Sequence, residues 1–346
     1  DGLTVGDTAD ITTNEVGTDA TISSRTASPL SDLVTTATNG ANGSIVLQLT
    51  AGNLTLQDGT APDDNTAVSA NATGNILLQS LAGAINANAG VASEGGSITL
   101  RADGAIAQAT GTTIETDDTG TLDLESENGA VTLANLLVQP SSGGGPTGDV
   151  RVRAGGATTG DTGILAEESL TTLAGTVSLL ADAGDLVGPG AAAHKIAAAA
   201  LRMESSGGIY GVESSVVKFF RTDVATVSAR AAGGSILLTN GKALTVGDTS
   251  ATVERVGGNG TTTDVIDQTL SDLRTTGTPS AIHVIVETGT LTLTDGTAPD
   301  DNTAVSANGA GDVTLQANGT GGAIALEGRV LSGSGNITLR TTPGGI

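Results

Sequence analysis

Residues 97–106 read SITLRADGAI. Ile98 and Leu100 alternate with Thr99 and Arg101; a Gly-bearing break follows, and Ile106 resumes the apolar pattern. Period-two alternation marks a strand with one buried face, and the glycine marks a turn. A strand and turn this short cannot bury that face alone. The apolar side has to be covered by further copies of the same unit.

Such copies run along the chain. SIVLQLTAGNLTL starts a unit at Ile45, NILLQSLAGAI at Ile76, TLDLESENGAVTL at Leu122, DVRVRAGGA at Val150, TVSLLADAGDL at Val177, ALRMESSGGIYG at Leu201 and TVSARAAGGSILL at Val227. AIHVIVETGTLTL, DVTLQANGTGGAIAL and NITLRTTPGGI follow at Ile282, Val313 and Ile337. Neighbouring anchors lie 22 to 31 residues apart, except for one interval of 55 in which TVERVGG near Val253 reads as a missing start. Units of one length, each with a face it cannot bury, stack in register. The expected fold is all-β: a parallel β-helix (β-solenoid) of roughly 12–13 coils of two or three strands, about 60 Å long at ~4.8 Å per coil. Stacked β-sandwich domains are the competing architecture. They lean on aromatic core anchors, whereas this chain has no Trp, one Tyr and two Phe. One stretch looks helical, AAAHKIAAAALRM at 191–203, because Ala favours helix. Its tail fits the coil rhythm, so 200–204 is expected as strand and 191–198 stays open.

A longer repeat is superimposed on this rhythm. LTVGDT at 3–8 returns at 244–249, LSDLVTT at 30–36 returns as LSDLRTT at 270–276, and DGTAPDDNTAVSAN at 58–71 returns letter for letter at 295–308. GSITLR at 96–101 matches GNITLR at 335–340. The offsets of 241, 240, 237 and 239 describe a duplicated block of roughly 240 residues. Residues 1–243 are the first block and 244–346 the start of a second, continuous with it. The chain opens DGLTVGDT, without Met or signal peptide, and reads as an excerpt of something longer.

Composition narrows the function classes. Acidic residues number 37 against 14 basic, a net charge of −23, which repels nucleic acid and anionic membrane surfaces and favours solubility. Without Cys there is no disulfide framework, thiolate metal site or cysteine nucleophile. No apolar run is long enough to span a membrane.

The recurring NITLR, GG, I pattern, with SITLRADGAI and TVSARAAGGSI, resembles the filamentous-haemagglutinin-like and β-strand-repeat adhesins of bacteria. That resemblance implies a right-handed parallel β-helix shaft, an extracellular or cell-surface location, and a role in adhesion, matrix or fibre formation. The open ends of a solenoid expose unpaired strand edges, so self-association end to end or laterally is expected, with cell-surface or matrix glycans as further expected partners. The resemblance transfers no binding residue.

The residues themselves supply few candidates for chemistry. The DGTAPDD phrase offers Asp58, Asp63, Asp64 and Asn65, and again Asp295, Asp300, Asp301 and Asn302, as oxygen donors for Ca²⁺. Four side chains fall short of the six to eight oxygens calcium takes, so the phrase is read first as a Pro-Asp turn, with Ca²⁺ the one cofactor left open. Acid pairs at Asp117–Asp118 and Glu167–Glu168 are the raw material of glycoside hydrolysis, but sequence cannot set their separation. Sugar platforms would have to come from Tyr210, Phe219 and Phe220, and lyase bases from Lys195, Lys218 and Lys242. His194 and His283 are too few for a zinc site, and His283 alternates onto the outer face. Phe219 and Phe220 are expected as a packing plug, with a lateral contact as the alternative. No catalytic, cofactor-binding or metal site is assigned and no enzyme activity is expected. The reading is a structural or adhesive rod segment, with a polysaccharide-binding or polysaccharide-degrading β-helix as the alternative.

Overall fold

In the computed structural model the described residues are 2–8, 11–16, 22–27, 31–36, 43–60, 63–140, 147–157 and 162–342, with side chains left aside in 11–16 and 22–27. The described residues form strands, turns and loops without a helix. Thirty-two strands belong to one sheet, in which each strand pairs mainly with its counterpart one winding away. The fold is the parallel β-helix that the repeats predict.

Three rows of strands make each winding. The first row carries regular five-residue strands, among them Ile45–Leu49, Ile76–Ser80, Ile98–Ala102, Leu122–Ser126 and Val150–Ala154. Its register runs Ile45, Ile76, Ile98, Leu122, Val150, Val177, Leu201, Val227, all in one column. These are the residues that the sequence marks as anchors. The second row stacks Leu54, Ile85, Ile106, Val131, Ile164, Leu186 and Ile209. The third stacks Val68, Val91, Ile114, Leu136, Leu170 and Ile196. Nearly all of these side chains are fully buried in a single aliphatic core. Rows of β-branched and Leu side chains fill a thin interior with a single aromatic, Phe220, as the composition requires.

Glycine sits at the corners because the windings touch there. A Cβ on Gly96 would lie 2.2 Å from the Gly74 carbonyl oxygen one winding away. The corner carbonyls are capped by hydroxyls: Ser93 donates to Gly74 O at 2.9 Å, Thr116 to Gly96 O at 2.6 Å and Ser126 to Gly104 O at 2.8 Å.

The two copies join by a change of row. Val5 and Leu33 sit in the second and third rows of copy one, on Leu56 and Val68. Their equivalents in copy two, Val246 and Leu273, keep the same pairings, with Leu293 and Val305, and on their other side stack on Val227 and Ala229 of the first row. Ile236, at the end of the first block, in turn lies on Ile209 of the second row and supports Ile282, Val313 and Ile337 of copy two. The second copy is therefore turned about the rod axis relative to the first. Long strands such as Phe220–Ala231 bend through this joint. Phe220, fully buried, is the only aromatic in the core, and Gly188 makes room for it, since a Cβ there would come within 2.3 Å of its ring. The plug reading thus fits Phe220 alone; Phe219 stays outside.

One expectation needs correction. Val253 is not the missing coil start; Ile236 is. Val253 belongs to an antiparallel hairpin, Thr249–Val256 with Thr262–Leu270, inserted into that winding. From Ile236 to Ile282 is 46 residues, and removing the 22 of segment 249–270 leaves 24, an ordinary coil. Copy one carries a counterpart hairpin, Ile11–Val16 with Ile22–Ala27. The Ala-rich segment holds strand Ile196–Ser205, which covers 200–204 as expected, and 191–198, which the sequence leaves open, is turn and strand. Pairing with Leu170–Ala181 on one side and Phe220–Ala231 on the other overrides helix propensity.

Candidate functional site: a strapped face and two acidic nests

Along the first row, residues 99, 123, 125, 151, 178, 202 and 228 alternate with the core anchors and should face water. Instead Thr99, Asp123, Ser178 and Ser228 are fully buried, and Glu125, Arg151 and Arg202 nearly so. The 249–270 hairpin covers them. Because rows two and three of the second copy stack on row one of the first, the segment linking those rows emerges directly over that face. It then runs back along the rod like a strap. Ser228 bonds to Thr249 near its base. Arg202 Nε donates to Gln268 O at 3.0 Å, and Val256 N–H to Thr99 Oγ1 at 2.9 Å. At the tip, Asn75 Nδ2 donates to Gly260 O at 3.0 Å.

Five charges meet under the strap. Arg151 Nη1 lies 2.9 Å from both Asp123 Oδ1 and Glu125 Oε2, and its Nε donates to Asp267 Oδ1 at 3.0 Å. From the strap, Arg255 Nε reaches Asp123 Oδ2 at 2.7 Å and Nη2 reaches Glu125 Oε2 at 2.5 Å. Ser178 Oγ donates to Asp267 Oδ2 at 2.6 Å. Burial pushes the Glu125 carboxyl up, but hydrogen bonds and charge from Arg255 and Arg151 outweigh it and hold the group at about 2. Burial likewise opposes the charge on Arg151, yet Asp123, Asp267 and Glu125 raise its pKa further. Every charge here is answered, so the network fastens the strap in one register and leaves no free group for chemistry.

The duplicated acidic phrases occupy a different face. The LSDL turn brings Asp32 to Asp58 and Asp64, and its copy brings Asp272 to Asp295 and Asp301; in each trio, oxygens from all three carboxyls lie within 4.8 Å of one another. Asp32 and Asp272 adopt left-handed backbone, φ 58° and 68°, as do Asn65 and Asn302 at 64° and 61°. Asn65 N–H donates to Asp58 Oδ2 and Asn302 N–H to Asp295 Oδ2, both at 2.8 Å. Gly59 N–H donates to Asp32 Oδ1 at 2.9 Å, and a Cβ on Gly59 would overlap Ser31 Oγ at 1.5 Å, so the DGT glycine is what lets the two turns meet. Asp248 pins the second nest, accepting from Thr297 N–H at 2.8 Å, from Thr297 Oγ1 at 2.7 Å and from Ser271. Asp272 is 3 % exposed, and its Oδ1 has no hydrogen-bond partner; Asp58 Oδ1 is buried in the same condition. Burial, with the charges of Asp295, Asp301 and Asp248 and against a hydrogen bond from Gly296, lifts the Asp272 carboxyl to about 6.

The sequence candidates thus divide. Asp58, Asp64, Asp295 and Asp301 come together; Asp63 and Asp300 lie outside the trios, and Asn65 and Asn302 shape the turn. Asp32 and Asp272, missed by sequence reasoning, complete each set. The signal was available, since LSDL is duplicated at nearly the same offset as DGTAPDD. Glu168 braces a turn, accepting from Asn135 Nδ2 at 2.5 Å and Gly111 N–H at 3.1 Å. Burial and the neighbouring Asp118 and Glu94 raise the Asp117 pKa. Lys195 and Lys242 share Asp223 at 2.5 and 3.5 Å, and Lys218 lies 3.7 Å from Glu213. The Tyr210 hydroxyl donates to Asp185 Oδ2 at 2.7 Å, and burial with that contact pushes it up to about 12. Outside the rod, Phe219 packs edge-on against His283, ring centres 4.7 Å apart, beside a shallow cleft lined by Lys218, Arg221 and Glu287.

No protein-family model, curated protein or solved structure matches the chain. The resemblance to haemagglutinin-like adhesins rests on the coil pattern alone.

Proposed function

We propose that the chain is a load-bearing segment of a large secreted bacterial surface protein, a stiff rod or fibre element whose role is structural or adhesive. The observation that carries this reading is the strap: a hairpin of the second copy is fastened across the windings of the first by buried ion pairs. Such a joint resists bending and sliding between blocks, which a spacer requires and a catalyst does not. The unbroken aliphatic columns and the strong negative charge suit a long soluble shaft. Its partners are then other copies, end to end or side by side, and glycans of neighbouring surfaces. Negative-stain images of the purified protein should show rods about 60 Å long, alone or in linear and lateral arrays. Globular particles of uniform diameter would defeat the proposal.

The alternative, a polysaccharide-binding or polysaccharide-cleaving β-helix, has its best footing in the cleft beside Phe219. A glycan array and a reducing-end assay on acidic polysaccharides decide it. Binding abolished by Phe219→Ala would move the function there.

A further inference from the structure

The two acidic nests do something the rod itself does not need. Each gathers three carboxylates from two turns that belong to different windings: Asp32 with Asp58 and Asp64, Asp272 with Asp295 and Asp301. The carboxylates accept turn N–H groups, but converging like charges repel, so the arrangement carries a cost that a bound cation would offset. A second observation points to a ligand. Asp272 is buried, yet Oδ1 has no partner, and Asp58 Oδ1 in the first nest is left the same way. An unanswered buried carboxylate oxygen is costly and marks a missing partner. The local cations are few. Arg274 Nη1 stands 3.9 Å from Asp301 Oδ2 in the second nest; in the first, the equivalent position is Val34.

We propose that each nest binds one calcium ion, which ties the LSDL turn of one winding to the DGTAPDD turn of the next. The donor set is all oxygen and comes from loops, which suits a large, hard cation of flexible coordination better than octahedral Mg²⁺. Three carboxylates are half a calcium shell; main-chain carbonyls and water complete it. Bound calcium would offset the repulsion and satisfy the two orphan oxygens. The device occurs once per duplicated block, so a rod of many blocks would be pinned at regular intervals. The inference does not depend on the adhesive reading; a rod of any purpose could use it.

The test is calcium titration of the full chain after chelator treatment, in ~0.15 M salt to suppress diffuse binding to the acidic surface. Isothermal calorimetry should give two saturable sites per chain with Kd at or below roughly 10⁻³ M, and weaker or no binding of Mg²⁺. Saturating calcium should raise the melting temperature by ~3 °C or more, reversibly with chelator. Asp272→Asn should lower the stoichiometry from two to one, as should Asp58→Asn, while Asp300→Asn, outside the nest, should leave two. If Asp272→Asn does not fold, Asp301→Asn on the exposed side of the same nest makes the same measurement. No saturable heat below about 10 mM calcium, or a stoichiometry unmoved by the nest substitutions, overturns the proposal.

Discussion

Leu124 and Asp123 are adjacent in one strand and both are fully buried, but for opposite reasons. Leu124 faces inward and is covered by its counterparts Leu100 and Val152 in the windings on either side. Asp123 faces outward and is covered by a hairpin that arrives from more than a hundred residues away. The inner layer is built by repetition and tolerates any aliphatic side chain of suitable size. The outer layer is built once, by specific pairs, and fixes where the strap lies. Repetition gives the rod its length; the ion network gives the joint its register.

Substitutions can break this comparison in order of size. A charge on the inner side should do the most damage: Leu124→Asp, or Val313→Asp in the second copy, strands a carboxylate between apolar layers and should cost about 4 kcal/mol or more. Thermal melts and hydrogen exchange should show the flanking windings losing protection first; unchanged melting would contradict the register. Next comes Arg151→Ala, which leaves Asp123, Glu125 and Asp267 without their shared cation, a loss of about 3–5 kcal/mol. Replacing the five charged groups together with apolar residues of similar volume should cost much less than that single change. A cost equal to or above that of Arg151→Ala would mean that the network does more than settle its own charges.

A pH series sharpens the contrast further, with opposite signs at two sites. Glu125 is depressed to about 2 from an ordinary 4.5, so its stabilisation is present above pH 4.5 and is lost as pH falls through the folded value. Asp272 is raised from 3.8 to about 6, so without calcium its cost is absent below pH 3.8 and complete above 6. Melting should therefore fall on acidification below pH 4.5 in the wild type and less so in Glu125→Gln. In chelator, Asp272→Asn should gain on the wild type at pH 7 and not at pH 3.5. A gain equal at both values would contradict the assignment. The smallest effect is expected at the strap tip: Asn75→Ala removes the hydrogen bond to Gly260 O and the one its Oδ1 accepts from Ser97 N–H at 2.9 Å, each worth about 1 kcal/mol, and should speed exchange in 257–261 and at Ser97 with the least movement of the global melt.

The inner layer was legible in the sequence almost residue by residue, because alternation and glycine corners come from local chemistry that repeats. Ile98, Leu122 and Val150 could be placed in one column from letters alone. The strap was not legible. TSATVERV alternates like any coil strand, and nothing local says that Val253 packs on the polar side of another sheet instead of entering the core. Asp123, Glu125 and Arg151 likewise read as solvated charges, since their partners are far away in sequence. In the nests, Asp58 and Asp64 were visible in the DGTAPDD phrase; Asp32 and Asp272 required knowing which turns stack. In the Ala-rich segment 191–198 stayed open for the same reason: propensity is local, whereas ladder pairing on both sides is not.

The change of row at the joint bears on any array made by repeating it. Successive blocks would not present identical sides to a neighbour, because each is offset in azimuth from the last. Straps and nests would wind around the filament in a slow spiral, distributing lateral contacts over its whole circumference.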